Sequence, residues 1–122
     1  VFLGHIEKAE LSKVYASSDI FVFPSTTETF GNVTIEAMAS GLVPVVANAG
    51  GSMSLVKDGE NGFLTKPKDP KDFSQKINFL LDDSETKEKI RNFALVFSQD
   101  FTWEKVFDKL FQMYIQLLKK KN

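Results

Sequence analysis

The sequence predicts an α/β fold, a parallel sheet flanked by helices, and three observations carry that expectation. Apolar runs of strand length recur at Val1–Leu3, Asp19–Phe23, Val43–Ala47 and Phe63–Thr65. They place apolar residue after apolar residue rather than alternating, as strands covered on both faces do. Segments of helical period separate them, and from Asp69 onward the period is helical throughout. Strand, helix, strand in repetition implies parallel strands joined by right-handed crossovers.

Each element has its own signals. Val1–Leu3 stops at Gly4; with no initiator Met or basic leader ahead of it, it reads as a strand already under way in a sheet truncated on its N-terminal side. Glu7–Ser17 sets Leu11, Val14 and Tyr15 at helical spacing, and the aromatic run to Phe23 ends at Pro24. Thr34–Ser40 offers Ile35, Met38 and Ala39 to a core and stops at Gly41, a natural helix C-cap. Val43–Ala47 carries Pro44 near its start. Gly50-Gly51 reads as a turn that needs positive φ, and Ser52–Val56 as one or two helical turns. Asp58-Gly59 and Asn61-Gly62 are tight turns before Phe63–Thr65.

Asp69-Pro70 supplies an N-cap and a first-turn proline for a helix striped by Phe73, Ile77, Leu80 and Leu81. Ser84 is expected to cap a second helix carrying Ile90, Ala94 and Phe97. Thr102 is expected to cap a third that buries Trp103, Val106, Leu110, Met113, Tyr114 and Leu117, with Trp103 and Tyr114 in core or interdomain packing. Lys119, Lys120, Lys121 and Asn122 suit a helix C-terminus and a solvated tail. Nearly all twelve phenylalanines fall on expected core faces.

Composition bounds the chemistry. The chain has 122 residues, 43% apolar and 25% charged, which fits one globular domain over residues 1–122. It has no cysteine, so disulfides, cysteine-zinc sites and thiol catalysis are excluded. A net charge of −1 gives no field to gather nucleic acid, and no apolar run reaches the roughly 18 to 20 residues that cross a bilayer.

In a parallel α/β sheet, ligands sit beyond the carboxyl ends of the strands. The loop after Phe23 runs from Pro24 to Val33 with one carboxylate, Glu28, and one glycine, Gly31, and feeds straight into a helix. A helix starting at Gly31–Val33 leaves amide N–H groups free for a phosphate, and Gly31 lets the anion approach the backbone. Glu28 and Glu36 flank that start with seven residues between them. A phosphate repels carboxylates unless they have hydroxyls to accept from, so the set suits a nucleotide sugar. The plainer alternative is that Glu28 caps the helix and Glu36 is solvated.

The residues Tyr15–Ser25, Glu28–Val33, Glu36–Gly41, Pro44–Ala47, Gly50-Gly51, Asp58-Gly59, Asn61–Leu64, Pro67 and Phe101–Glu104 together resemble the C-terminal donor-binding domain of glycosyltransferase family 4. The resemblance covers essentially the whole chain. It implies a Rossmann-like domain, the C-terminal half of a two-domain GT-B fold, in a retaining enzyme that moves a hexose from a UDP- or GDP-sugar to an acceptor hydroxyl. It implies that Glu28 is the catalytic-site carboxylate, holding donor-sugar hydroxyls near the reacting carbon, and that Glu36 accepts from the ribose. Phe30, Gly31, Asn32 and Val33 would face the sugar and diphosphate through their amides, and Gly4, His5 and Ile6 would lie near the base. No cofactor and no metal are expected, since the helix dipole stabilises the leaving group.

The resemblance further implies a missing N-terminal domain that binds a saccharide or lipid-linked acceptor, and a cytoplasmic enzyme, peripheral at the inner face of a membrane. It implies an Arg and a Lys on the diphosphate, whereas the sole arginine here is Arg91, in a late helix. The 122 residues alone are therefore expected to be inactive, since transfer needs two substrates held in register. Two alternatives stay open: a non-hydrolysing sugar-nucleotide epimerase of the same fold, which His5 alone does not equip, and a non-catalytic nucleotide-binding or scaffold module.

Overall fold

The computed structural model describes residues 1–120; Lys121 and Asn122, in the expected cationic tail, lie outside the described residues. The element order is α1 (Lys8–Ala16), β1 (Ile20–Phe23), α2 (Asn32–Ala39), β2 (Val43–Ala47), a short 3₁₀ turn (Gly51–Ser54), β3 (Phe63–Thr65), α3 (Pro70–Asp82), α4 (Ser84–Ser98), a second 3₁₀ turn (Gln99–Phe101) and α5 (Trp103–Lys120). The three strands form one parallel sheet in the order β1-β2-β3, with Val22 opposite Val45 and Val45 opposite Phe63. This is the expected α/β, Rossmann-like arrangement.

β2 is the centre of the core. All five of its residues are buried, as a continuous apolar run paired on both sides requires. Val43, Val45 and Ala47 pack with Phe63, Phe73, Leu80 and Ile90, so α3 and α4 close that cluster. Val46 joins a second cluster with Met38 of α2, Val56 and Ala94 of α4. Thr34, Ala37 and Met38 are the buried residues of α2, and Gly41, at φ +81°, ends its last turn as the sequence predicts.

The sequence places the start of α3, while Leu81 of its expected apolar stripe is exposed. Asp69 accepts from the Lys71 and Asp72 amides at 3.1 Å, with Pro70 in the first turn. The cap of α4 is Asp83 rather than Ser84. The Asp83 carboxylate accepts from the Thr86 amide at 2.9 Å and its hydroxyl at 2.7 Å, which leaves Ser84 as the first helical residue. Those bonds, the backbone one first, hold the Asp83 carboxyl below its ordinary range.

Three expectations are corrected. Val1–Leu3 is not a strand: its residues are exposed and pair with none of β1, β2 and β3, because three residues without a neighbouring strand gain too few hydrogen bonds to offset their ordering. β1 is not covered on both faces: Val22 is 43% exposed, while Ile20, Phe21 and Phe23 are half-buried. α5 begins where expected, with the Thr102 hydroxyl accepting from the Lys105 amide at 3.3 Å, but none of its residues is buried. Trp103, Val106, Leu110, Met113, Tyr114 and Leu117 are all exposed, and so are half of the twelve phenylalanines. A periodic stripe shows that a face is apolar without supplying the element that covers it.

Two outcomes follow for the core and the caps. Leu80→Ala, at a side chain with no exposure, lowers unfolding free energy by about 2–5 kcal/mol in urea denaturation. The Asp83 contribution is full above the ordinary carboxylate pKa of about 3.9 and fades as pH falls through the depressed folded value. Melting temperatures of wild type and Asp83→Asn followed from neutral to acid pH therefore converge at the acid end.

Candidate functional site

The loops after β1 and β2 meet at the carboxyl edge of the sheet. Gly31 stands at the N-cap of α2 with φ +93° and has no side chain to cap the helix. The Glu28 Oε1 accepts from the Gly31 amide at 3.2 Å, the amide of the N-cap residue itself and not one of the first-turn amides that a capping side chain engages. The plainer reading of Glu28 as a helix cap is not what this bond makes: no side chain caps α2. The Gly31 carbonyl accepts from the Thr34 and Ile35 amides at 2.9 and 3.1 Å. Among the described residues, no oxygen accepts from the Asn32 or Val33 amide, so these two N–H groups form the free positive end of α2.

The glycine pair fixes this loop from the other side. Gly51 donates its amide to the Glu28 carbonyl at 2.6 Å, and a Cβ on Gly51 would lie 2.6 Å from both Cα and N of Phe30. Gly50 has φ +62°, and a Cβ there would lie 2.7 Å from the Glu28 carbonyl oxygen. Gly50 is thus required both by its positive φ and by the nearby Glu28 backbone, whereas Gly51 is required by close approach alone. Below them the buried hydroxyls of Thr34 and Ser52 share a 2.8 Å hydrogen bond, which ties α2 to the first 3₁₀ turn.

A cleft of about 580 Å³ opens along the outer face of α2. Phe30, Asn32, Ile35 and Glu36 line one side of it, and Phe101, Trp103 and Val106 line the other. Phe30, Asn32 and Glu36 are thus brought together on the cleft wall, Glu28 sits on the glycine side of the same helix start, and Val33 between them is half-buried. Gly4 and His5 are exposed and Ile6 is half-buried in the segment before α1. Among the described residues no hydrogen bond joins that segment to the α2 loop.

Two features are invisible to spacing. Tyr15 of α1 lies near Glu36: burial first, and the Glu36 carboxylate second, push its phenol pKa upward, so the hydroxyl remains a proton donor at neutral pH. The wall formed by Phe101, Trp103 and Val106 comes from far along the chain, and no local signal assigns it to Glu36. Among the described residues no group of three His, Asp or Glu side chains is placed to hold a metal ion, and no helix is long and apolar enough to cross a membrane. The sole arginine, Arg91, has its guanidinium against Gly41, at the far end of α2 from the free amides.

A parallel sheet whose strand ends present a free helix N-terminus between two carboxylates defines an α/β domain suited to an anionic ligand rich in hydroxyls. The family model of the glycosyl transferases group 1 matches residues 1–97, and the chain belongs to that family. It is 42% identical over 113 residues to the sulfoquinovosyl transferase SQD2 of Arabidopsis thaliana, covering 90% of this chain and 22% of that protein. It is 37% identical over 113 residues to a D-inositol 3-phosphate glycosyltransferase of Corynebacterium diphtheriae, covering 93% and 26%. Among solved structures, it resembles Anabaena HepE in complex with UDP, with TM-score 0.80 and 32% identity over 89% of this chain and 30% of that one. It also resembles the sucrose-phosphate synthase of Thermosynechococcus elongatus, with TM-score 0.83 and 30% identity over 98% and 30%. The chain spans about a quarter of the length of these curated relatives.

The glycine contact yields a direct check. Gly51→Ala forces the β1 and β2 loops apart and costs about 1–3 kcal/mol in thermal or urea unfolding. Amide shifts in nuclear magnetic resonance spectra of that variant concentrate at Glu28–Val33; unchanged stability and spectra would show that the loops are not clamped.

Proposed function

We propose that this chain is the nucleotide-sugar-binding part of a retaining glycosyltransferase of family 4. In this reading it holds a UDP- or GDP-hexose while a second domain presents a saccharide or lipid-linked hydroxyl. The observation that carries the reading is the pair of open amides at Asn32 and Val33 with Glu28 and Glu36 on either side. The family membership of the chain and the UDP bound to Anabaena HepE support the choice of ligand.

The roles follow from the chemistry of each group. The α2 N-terminus faces the diphosphate and stabilises the charge that grows on the leaving group as the bond to the sugar breaks. Glu28 has one oxygen engaged by Gly31, which fixes the carboxylate and leaves the other for donor-sugar hydroxyls. Glu36 accepts from the ribose diol at the cleft wall. Gly4, His5 and Ile6 are assigned to the base side. In this reading the helix terminus does this work with neither metal nor cofactor, and Arg91, at the opposite end of α2, does not reach the diphosphate. The 122 residues by themselves therefore bind donor weakly and do not turn it over.

Calorimetric titration of the chain with UDP, GDP, UDP-glucose and GDP-mannose tests the reading. Weak binding of one base series is expected, weakened at least about tenfold in Glu36→Ala, the loss of a hydrogen bond to a charged group. Equal binding by Glu36→Ala, or none by wild type, would count against the donor site, and robust transfer by the isolated chain would refute its inactivity.

A further inference from the structure

We propose that Tyr15 is a second ribose-binding residue, its hydroxyl donating to the same sugar hydroxyl whose proton the Glu36 carboxylate accepts. This rests on the donor-site reading above and adds to it a residue from another helix. Tyr15 lies in the last turn of α1, an element that contributes nothing to the cleft wall of Phe101, Trp103 and Val106. Its ring is half-buried and edge-on to Phe21 of β1, with centroids 6.1 Å apart, and Phe21 is stacked on Phe23 at 5.6 Å. A ring held in this way against the sheet presents its hydroxyl from one place.

The two polar groups are complementary and uncommitted. A carboxylate only accepts, while a neutral phenol keeps a proton to donate. The phenol stays neutral because burial first, and the Glu36 carboxylate second, raise its pKa. Tyr15 and Glu36 enter hydrogen bonds through their backbones, and among the described residues neither side chain has a hydrogen-bond partner.

A phenol and a carboxylate in reach of one another bond directly, at roughly 2.5–2.7 Å. These two feel each other without that bond, which leaves a gap for a group that accepts on one side and donates on the other. A sugar hydroxyl does both: the Tyr15 O–H donates to the sugar oxygen, and the sugar O–H donates to Glu36. A nucleotide lacking that hydroxyl leaves phenol and carboxylate with nothing between them, so the pair selects ribose over deoxyribose.

Calorimetric titration of the chain with UDP, GDP and their 2′-deoxy and 3′-deoxy forms tests this. In the base series that binds, Tyr15→Phe keeps the ring against Phe21 and is expected to bind the ribonucleotide about threefold to tenfold more weakly, the loss of one hydrogen bond. It is expected to lose nothing on the deoxy form that lacks the bridged hydroxyl, because wild type has no such bond there either. A second readout leaves Tyr15 in place. The chain has two tyrosines, so Tyr114→Phe labelled with 3-fluorotyrosine carries one fluorine reporter, expected to shift with the ribonucleotide and far less with that deoxy form. Equal ribonucleotide binding by Tyr15→Phe, an equal loss on the ribonucleotide and both deoxy forms, or a fluorine resonance indifferent to nucleotide would overturn the role of Tyr15 and leave the donor site, with its dependence on Glu36, standing. Absence of nucleotide binding by wild type would overturn both.

Discussion

Two backbones pressed together without a side chain between them set the geometry of this molecule. Gly51 donates to the Glu28 carbonyl and leaves no space for a Cβ against Phe30, so the loops after β1 and β2 hold each other at one spacing. The consequences run in both directions. Toward the loop surface, Glu28 is fixed over the α2 N-terminus and Gly31 takes a left-handed conformation. Toward the core, Gly31 is closed in by Leu55 and Ser52, and the Ser52 hydroxyl reaches Thr34.

What was legible in the sequence is what local chemistry determines. β2 and β3 follow from apolar runs bounded by turn residues, and α3 from Asp69-Pro70, because capping needs only the next few amides. The cap of α4 was misplaced by one residue because Asp83 and Ser84 are both competent caps, and only backbone geometry chooses between them. Val1–Leu3 and α5 show the opposite limit. Their composition reports a preference for burial, but burial needs a partner element, and composition does not supply one.

The candidate site divides in the same way. Glu28, Gly31 and Glu36 lie within one loop-helix segment, so spacing and resemblance reach them together. Tyr15 and the Trp103 wall reach Glu36 only through the packing of α1 and the break at Gln99–Phe101, which no short pattern encodes. Gly51 was read as a turn residue, although its backbone needs no positive φ; the reason for glycine lies in the Phe30 backbone opposite it.

β2, buried along its whole length and paired on both edges, has a dynamic consequence. Its amides can exchange with solvent only when the strands on both sides separate, which amounts to unfolding the domain. The loops that carry Glu28 and Gly51 hang from β1 and β2, so the anchor points of the clamp between them last as long as the pairing of those strands.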